Sequence, residues 1–202
     1  MKMQIAIFLI ALITVGRPAL SQTNWKLTKN KDGIAIYEGT VPGSSFKSIK
    51  VECTLDGTYD RLISVLSNVS QHKQWVYNNK SASLLKTVSP SEFYYYTETN
   101  LPWPMNNRDA VMHTTIKKDS LNRFLRVHSV ADAGYSPQRD GKVRIQRSKV
   151  AWYVTMPSAT TLHVIYTLEA DPGGSVPAWL VNSFIEKGPY ESFKKLKALL
   201  KP

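Results

Sequence analysis

"EADPGGSVPAWLVNSF", Glu169 to Phe184, decides how this chain is read. Before it lies a long run of alternating apolar and polar residues; after it, apolar residues recur at helical spacing. The turn between the two is Asp-Pro-Gly-Gly. A phosphate-cradling loop needs a Gly-rich stretch ending in Lys and Ser/Thr, and a dinucleotide fingerprint needs three spaced glycines. The stretch has neither, and it follows a meander of strands, not a parallel βαβ unit. It reads as a strand-to-helix corner. Gly173 and Gly174 supply unusual backbone angles, Ser175 can cap the helix, and Pro177 is tolerated in its first turn.

Working outward from the corner, the periodicity predicts strands at Gly33–Glu38, Ser45–Leu55, Ser83–Val88, Glu92–Asn100, Arg108–Lys118, Arg123–Asp132, Lys142–Met156 and Thr160–Ala170. Ile49, Val51, Cys53 and Leu55 alternate with Lys50, Glu52 and Thr54, so one face meets a core and the other meets water. Val41–Ser44 is a turn. Thr58 is placed to cap a helix carrying Tyr59, Leu62, Ile63, Leu66 and Val69, and Ser70 a short second helix through Trp75. Trp179, Leu180, Phe184, Tyr190, Phe193, Leu196 and Leu200 suit a long C-terminal helix, which Gly188 and Pro189 are expected to kink or restart. Short connections between consecutive strands imply a meander. The fold class is α+β, a curved antiparallel sheet with helices on one side.

At 202 residues, 43% hydrophobic and 20% charged, the chain has the composition of a globular protein. Lys2, the apolar run Ile5–Val15 and the small residues Ala19 and Ser21 read as a secretory signal over residues 1–21, cleaved after Ser21, the alternative being an uncleaved N-terminal anchor. The run is shorter than the roughly 20 residues a spanning helix needs. The expected location is therefore exported, periplasmic or extracellular. Two of the 26 basic residues, Lys2 and Arg17, fall in that leader, leaving 24 against 15 acidic ones, a charge of +9. This balance favours anionic partners. Cys53 has no second cysteine to pair with, and its place in the alternation puts it on a buried strand face.

Little in the chain suggests catalysis. His72, His113, His128 and His163 are not at metal-ligand spacing, no G-x-S-x-G elbow is present, and acidic residues are scattered. No metal and no cofactor are expected. In the strand from Arg108, alternation puts Arg108, Ala110 and Met112 on one face and Asp109, Val111 and His113 on the other. If the first face is internal, Arg108 needs a partner, since guanidinium cannot be shed by deprotonation. Glu98 is the candidate; the alternative leaves Arg108 at the strand rim in water. Val150, Trp152, Val154 and Met156 share a face of one strand, as do Leu162, Val164, Tyr166 and Leu168 of the next, and both a solid core and a ligand cavity fit them. The basic stretch Lys117–Lys149 fits a solvated outer face or a contact with anionic lipid; no nucleic-acid motif accompanies it, and none is expected as partner.

"DGIAIYEGTVPGSSFKSIKVE", "LPWPMNNRDAV", and "VAWYV" followed by "MPSATTLHVIYTLEADPGGSVPAWLVNSF", with the late Pro189, resemble a START (steroidogenic-acute-regulatory-related lipid-transfer) domain. The form is single-domain, over 22–202, and of an exported, bacterial type. The resemblance implies a helix-grip fold, in which a curved antiparallel β-sheet wraps a long C-terminal α-helix around an internal hydrophobic tunnel. It implies binding and transfer of a lipid, sterol or other apolar small molecule, with the C-terminal helix as a lid. Arg108 of "NRD" would lie in the tunnel, paired with a carboxylate or facing a ligand polar group; strand position makes Glu98 that carboxylate. Tyr96, Met112, Trp152, Val154, Tyr166, Trp179, Leu180 and Phe184 complete the expected ligand-binding set. Transient contact with an anionic membrane surface is expected. The alternative is an enzyme of the wider helix-grip superfamily, cyclase- or hydrolase-like, which would need Arg108, Glu98, Tyr96 and His113 to cluster in the cavity.

Overall fold

The computed structural model describes residues 24–40, 47–119, 121, 123–174 and 176–201; the side chains of 47, 178, 179, 181–183 and 186 fall outside that description. So do the expected leader 1–21, the Val41–Ser44 turn and the Ser175 cap. The described chain runs through β1 (Trp25–Lys31), β2 (Ile34–Thr40), β3 (Lys47–Asp56), α1 (Tyr59–Ser67), a 3-10 turn (Val69–Gln71) and α2 (His72–Trp75). It continues through β4 (Asn79–Ser89), β5 (Glu92–Thr99), β6 (Asn107–Lys118), β7 (Leu125–Ala131), β8 (Lys142–Arg144), β9 (Ser148–Ser158), β10 (Thr161–Ala170) and α3 (Ala178–Leu200).

The strands form one curved sheet in the order β1-β2-β3-β10-β9-β7-β6-β5-β4. Neighbours on this path are antiparallel, and β8 adds to β6 as a short parallel pair. The meander expected from the short connections is present. Its first strand, β1, was not foreseen: "WKLTKNK" lies on the sheet edge with most side chains exposed or half-buried, so it carries no apolar alternation to read.

Alternation dictates burial. Ile49, Val51, Cys53 and Leu55 of β3 face inward, opposite Leu168, Tyr166, Val164 and Leu162 of β10. α1 turns Tyr59, Leu62 and Leu66 to the same core, and Thr58 caps it by accepting from the Arg61 amide at 3.2 Å. The expected Ser70 cap is absent. Ser70 Oγ instead donates to Asn68 Oδ1, and α2 begins after Gln71 with no side-chain cap. α3 presses Tyr190, Phe193, Leu196 and Leu200 into this core. It runs through Gly188 and Pro189 without restarting, and Pro177 stands one residue before its first turn, at the N-cap.

The predicted single strand Lys142–Met156 is two. Arg144 ends β8 because its guanidinium grips Asp109, and the Ile145 amide donates to the Asp109 carbonyl at 2.8 Å. The chain then leaves β6 and resumes as β9 between β7 and β10. β7 likewise begins at Leu125, not Arg123, because Arg123 is spent on the preceding turn, where it pairs with Asp119 at 3.0 Å.

Candidate functional site

Between the concave sheet face and the first half of α3 lies a cavity of about 620 Å³, in the range of small-molecule sites. Its walls come from β5, β6, β9, β10, α2 and α3. Arg108, Met112, Trp152, Tyr166, Leu180 and Phe184 of the expected set line it. Val154 is fully buried two residues beyond Trp152, in the solid core. Trp179 belongs to α3, and its side chain lies outside the described residues.

Tyr96 and Glu98 are on the other face of β5, away from the cavity. Phe93, Tyr95, Thr97 and Thr99 take the cavity side. The run "FYYY" is aromatic in both phases, so its alternation does not choose between them. Register does: Thr99 stands opposite Arg108, Thr97 opposite Ala110 and Tyr95 opposite Met112, and residues paired across strands share a face. Glu98 stands opposite Asp109 and therefore cannot meet Arg108. The same reasoning misses His72, Trp75 and Tyr77, which reach the cavity from α2 and the segment after it; nothing local in the sequence tells that this short helix faces a cavity.

The three residues "NRD" do three separate jobs. Asn107 donates to Glu98 Oε1 at 2.6 Å and accepts from the Leu101 amide, closing the loop between β5 and β6. Burial opposes ionisation of Glu98, but the Asn107 amide, Lys80 and Lys142 outweigh it and hold its carboxyl below the ordinary range. Arg108, buried, donates to the carbonyls of Asn106 (2.7 Å), Pro172 (3.1 Å) and Gly173 (3.0 Å). Its partners are thus main-chain oxygens, one of the β5–β6 loop and two of the corner that leads into α3, not a carboxylate. Asp109 takes a two-pronged ion pair from Arg144 at 2.9 and 3.0 Å, with both residues buried. Arg144 also donates to Ala133, Ser136 and Pro137, so this pair staples the long β7–β8 connection to the sheet.

The corner has the predicted geometry. Gly173 and Gly174 adopt φ of 65° and 61°, the left-handed region that glycine enters without a Cβ clash. At Gly173 a Cβ would also meet Val143 at 3.2 Å. Asp171 Oδ1 accepts from the Gly173 amide at 2.9 Å and tightens the turn.

The cavity is aromatic. Tyr166 packs against Trp152 (4.8 Å) and Phe193 (5.3 Å), and His72 meets Trp75 and Tyr95 edge-on (5.5 and 5.4 Å). His72 Nε2 bonds the Leu66 carbonyl at 2.8 Å, and burial lowers its pKa, favouring the neutral ring. Among the described residues that line the cavity, no Asp, Glu or Lys occurs. The four residues an enzymatic reading would gather are dispersed. Arg108 faces the cavity, Tyr96 sits under Arg139 on the far side, and His113 pairs with Glu92 while stacking on Tyr94. No described His, Cys, Asp and Glu residues gather in a group able to hold a metal. Cys53 is buried in the core, which pushes its thiol up to about 12.

Comparison with known proteins places this geometry. The profile of the START domain matches residues 11–202. The crystal structure of the STAR-related lipid transfer protein from Xanthomonas axonopodis is 35% identical, covers 88% of this chain and 99% of its own, and superposes with a TM-score of 0.79. An uncharacterized protein of Pseudomonas aeruginosa is 28% identical over 97% of this chain and 96% of its own. The phosphatidylcholine transfer protein of Mus musculus is 25% identical over 85% of this chain and 81% of its own.

Proposed function

The chain belongs to the START domain family, and we propose that it binds a lipid or other hydrophobic small molecule in the cavity under α3 and carries it between membranes. The observation that carries this reading is the aromatic cavity of about 620 Å³ with a single, already-engaged cation in its described wall. A ligand burying about 300 Å² of apolar surface there would gain about 7 kcal/mol before the costs of association. The relatives that are lipid transfer proteins support the same reading.

Entry requires the wall to open. The corner at Gly173 and Gly174 is the hinge, and the first half of α3, with Leu180 and Phe184, is the lid. Arg108 acts as the latch, since it holds Pro172 and Gly173 from the floor of the cavity. The leader predicted over 1–21 would export the protein, and the excess of basic residues would favour brief docking on anionic membranes. Native mass spectrometry of the chain after incubation with a total lipid extract tests the proposal. A bound apolar species of defined mass is expected; a spectrum of unliganded protein alone, with no lipid moved between vesicles, would sink it.

A further inference from the structure

Several polar groups of the cavity wall are spoken for, while Trp75 Nε1 and Asn79 Oδ1 are buried there without a partner among the described residues. Thr114 and Ser129 bond each other at 2.7 Å, Ser192 bonds the Gly188 carbonyl and the Tyr77 amide, and Asn79 bonds Thr97. Arg108 and His72 are engaged with main-chain carbonyls. Tyr77 also brings to the wall a phenol that no described residue hydrogen-bonds, but two others face each other across the sheet. Tyr95 projects from β5 and Tyr166 from β10, strands separated in the sheet by β9, β7 and β6. They therefore reach into the cavity from opposite arms of the curve. No described residue hydrogen-bonds either hydroxyl, although both rings are packed on their flanks, Tyr95 by His72 and Tyr166 by Trp152 and Phe193. Burial pushes Tyr95 up to about 12 and Tyr166 higher still, and the two are near enough that ionised Tyr95 opposes ionisation of Tyr166. Both remain neutral hydroxyls at physiological pH.

We infer that Tyr95 and Tyr166 form the polar subsite of the cavity and select an uncharged lipid bearing a hydroxyl or carbonyl group. The inference rests on the proposed lipid binding and narrows it. A buried charge needs a counter-charge or several hydrogen bonds. The described cavity wall offers an anion only Arg108, which three carbonyls already occupy, so a carboxylate or phosphate head lacks a partner there; to a cation it offers aromatic faces but no carboxylate. A hydroxyl or carbonyl needs only a neutral partner, and a phenol can donate or accept.

The test compares four probes on the full chain by native mass spectrometry and by competition: oleyl alcohol, oleate, phosphatidylcholine and octadecane. Oleyl alcohol and oleate share a chain and differ in head charge. Oleyl alcohol is expected to bind more tightly than oleate or phosphatidylcholine. In Y95F/Y166F its affinity should fall about fivefold to tenfold, the scale of one or two neutral hydrogen bonds, while octadecane binding stays unchanged. Phenylalanine keeps the ring packing, and an unaltered thermal midpoint would confirm that the variant is folded. Preference for oleate or phosphatidylcholine, or an alcohol affinity indifferent to the double substitution, overturns the inference and leaves lipid binding standing. Failure of all four probes to bind overturns both.

Discussion

Asp109 and Arg144 show how one residue pair can hold a long connection. Both are buried, and Arg144 spends its remaining donors on three carbonyls of the β7–β8 segment. Removing the carboxylate strands a guanidinium in the interior, whereas removing both charges does not. D109A should therefore lose about 3–5 kcal/mol in urea unfolding, and D109A/R144M should recover a large part of that loss. Equal losses in the single and double variants would show that the stranded guanidinium is not the source of the loss. Arg108, one residue earlier, points the other way because alternation reverses at every step. That alternation was legible in "NRDAVM". The partner of Arg108 was not: Glu98 is close in sequence and of opposite charge, but the β5–β6 register puts it across from Asp109. Of the three carbonyls that Arg108 does meet, one is two positions away and the other two are 64 and 65 positions away, and main-chain oxygens leave no mark in a sequence.

At the scale of elements, α3 is one helix with two environments. Its second half is anchored in the core by Phe193, Leu196 and Leu200, and Arg61 donates to the Leu199 carbonyl near its end. The β1–β2 turn clasps it as well. Tyr190 donates its hydroxyl to Asp32, and Lys29 lies over the Tyr190 ring at 4.7 Å. The first half instead covers the cavity, and Pro189 at the junction has no N–H to return to the preceding turn. Sequence periodicity announced the helix and its proline; the helix does not restart at Pro189, and Pro177 precedes the first turn instead of standing in it. The clasp has a pH signature. The Tyr190 hydrogen bond, ahead of the opposing effect of burial, lowers Asp32 from its ordinary 3.8. A depressed carboxylate contributes stability that is full above the unfolded value and is lost as pH falls through the folded one. The stability difference between the parent chain and Y190F should accordingly be constant above about pH 5 and shrink below about pH 4. A difference independent of pH down to 2.5 would exclude this linkage.

For the whole molecule, curvature decides what the apolar faces enclose. Val154, Leu162 and Val164 meet side chains and make a solid core, while Trp152 and Tyr166, on the same strands and the same faces, border open space. Filling that space should abolish binding without unfolding the protein. Ala110 faces the cavity from β6. A110F is expected to reduce lipid uptake from vesicles at least tenfold with little change in the thermal midpoint, because the added ring enters a void and displaces no packed neighbour. A large fall in the midpoint would mean that the wall at Ala110 is already tightly packed.

The sequence by itself determined most of the strands and helices, though not β1, together with the sense of alternation on β3, β6, β9 and β10, the two-glycine corner and the resemblance to a START domain. These depend on neighbours a few residues apart, so the chain carries them locally. The phase of β5, the jobs of Asn107, Arg108 and Asp109, the split between β8 and β9, and the boundary between core and cavity were decided only by tertiary structure. Each depends on register between strands or on how far a curved sheet stands from the helix it holds. Those distances are set by side chains that are remote in sequence and meet only in the folded chain.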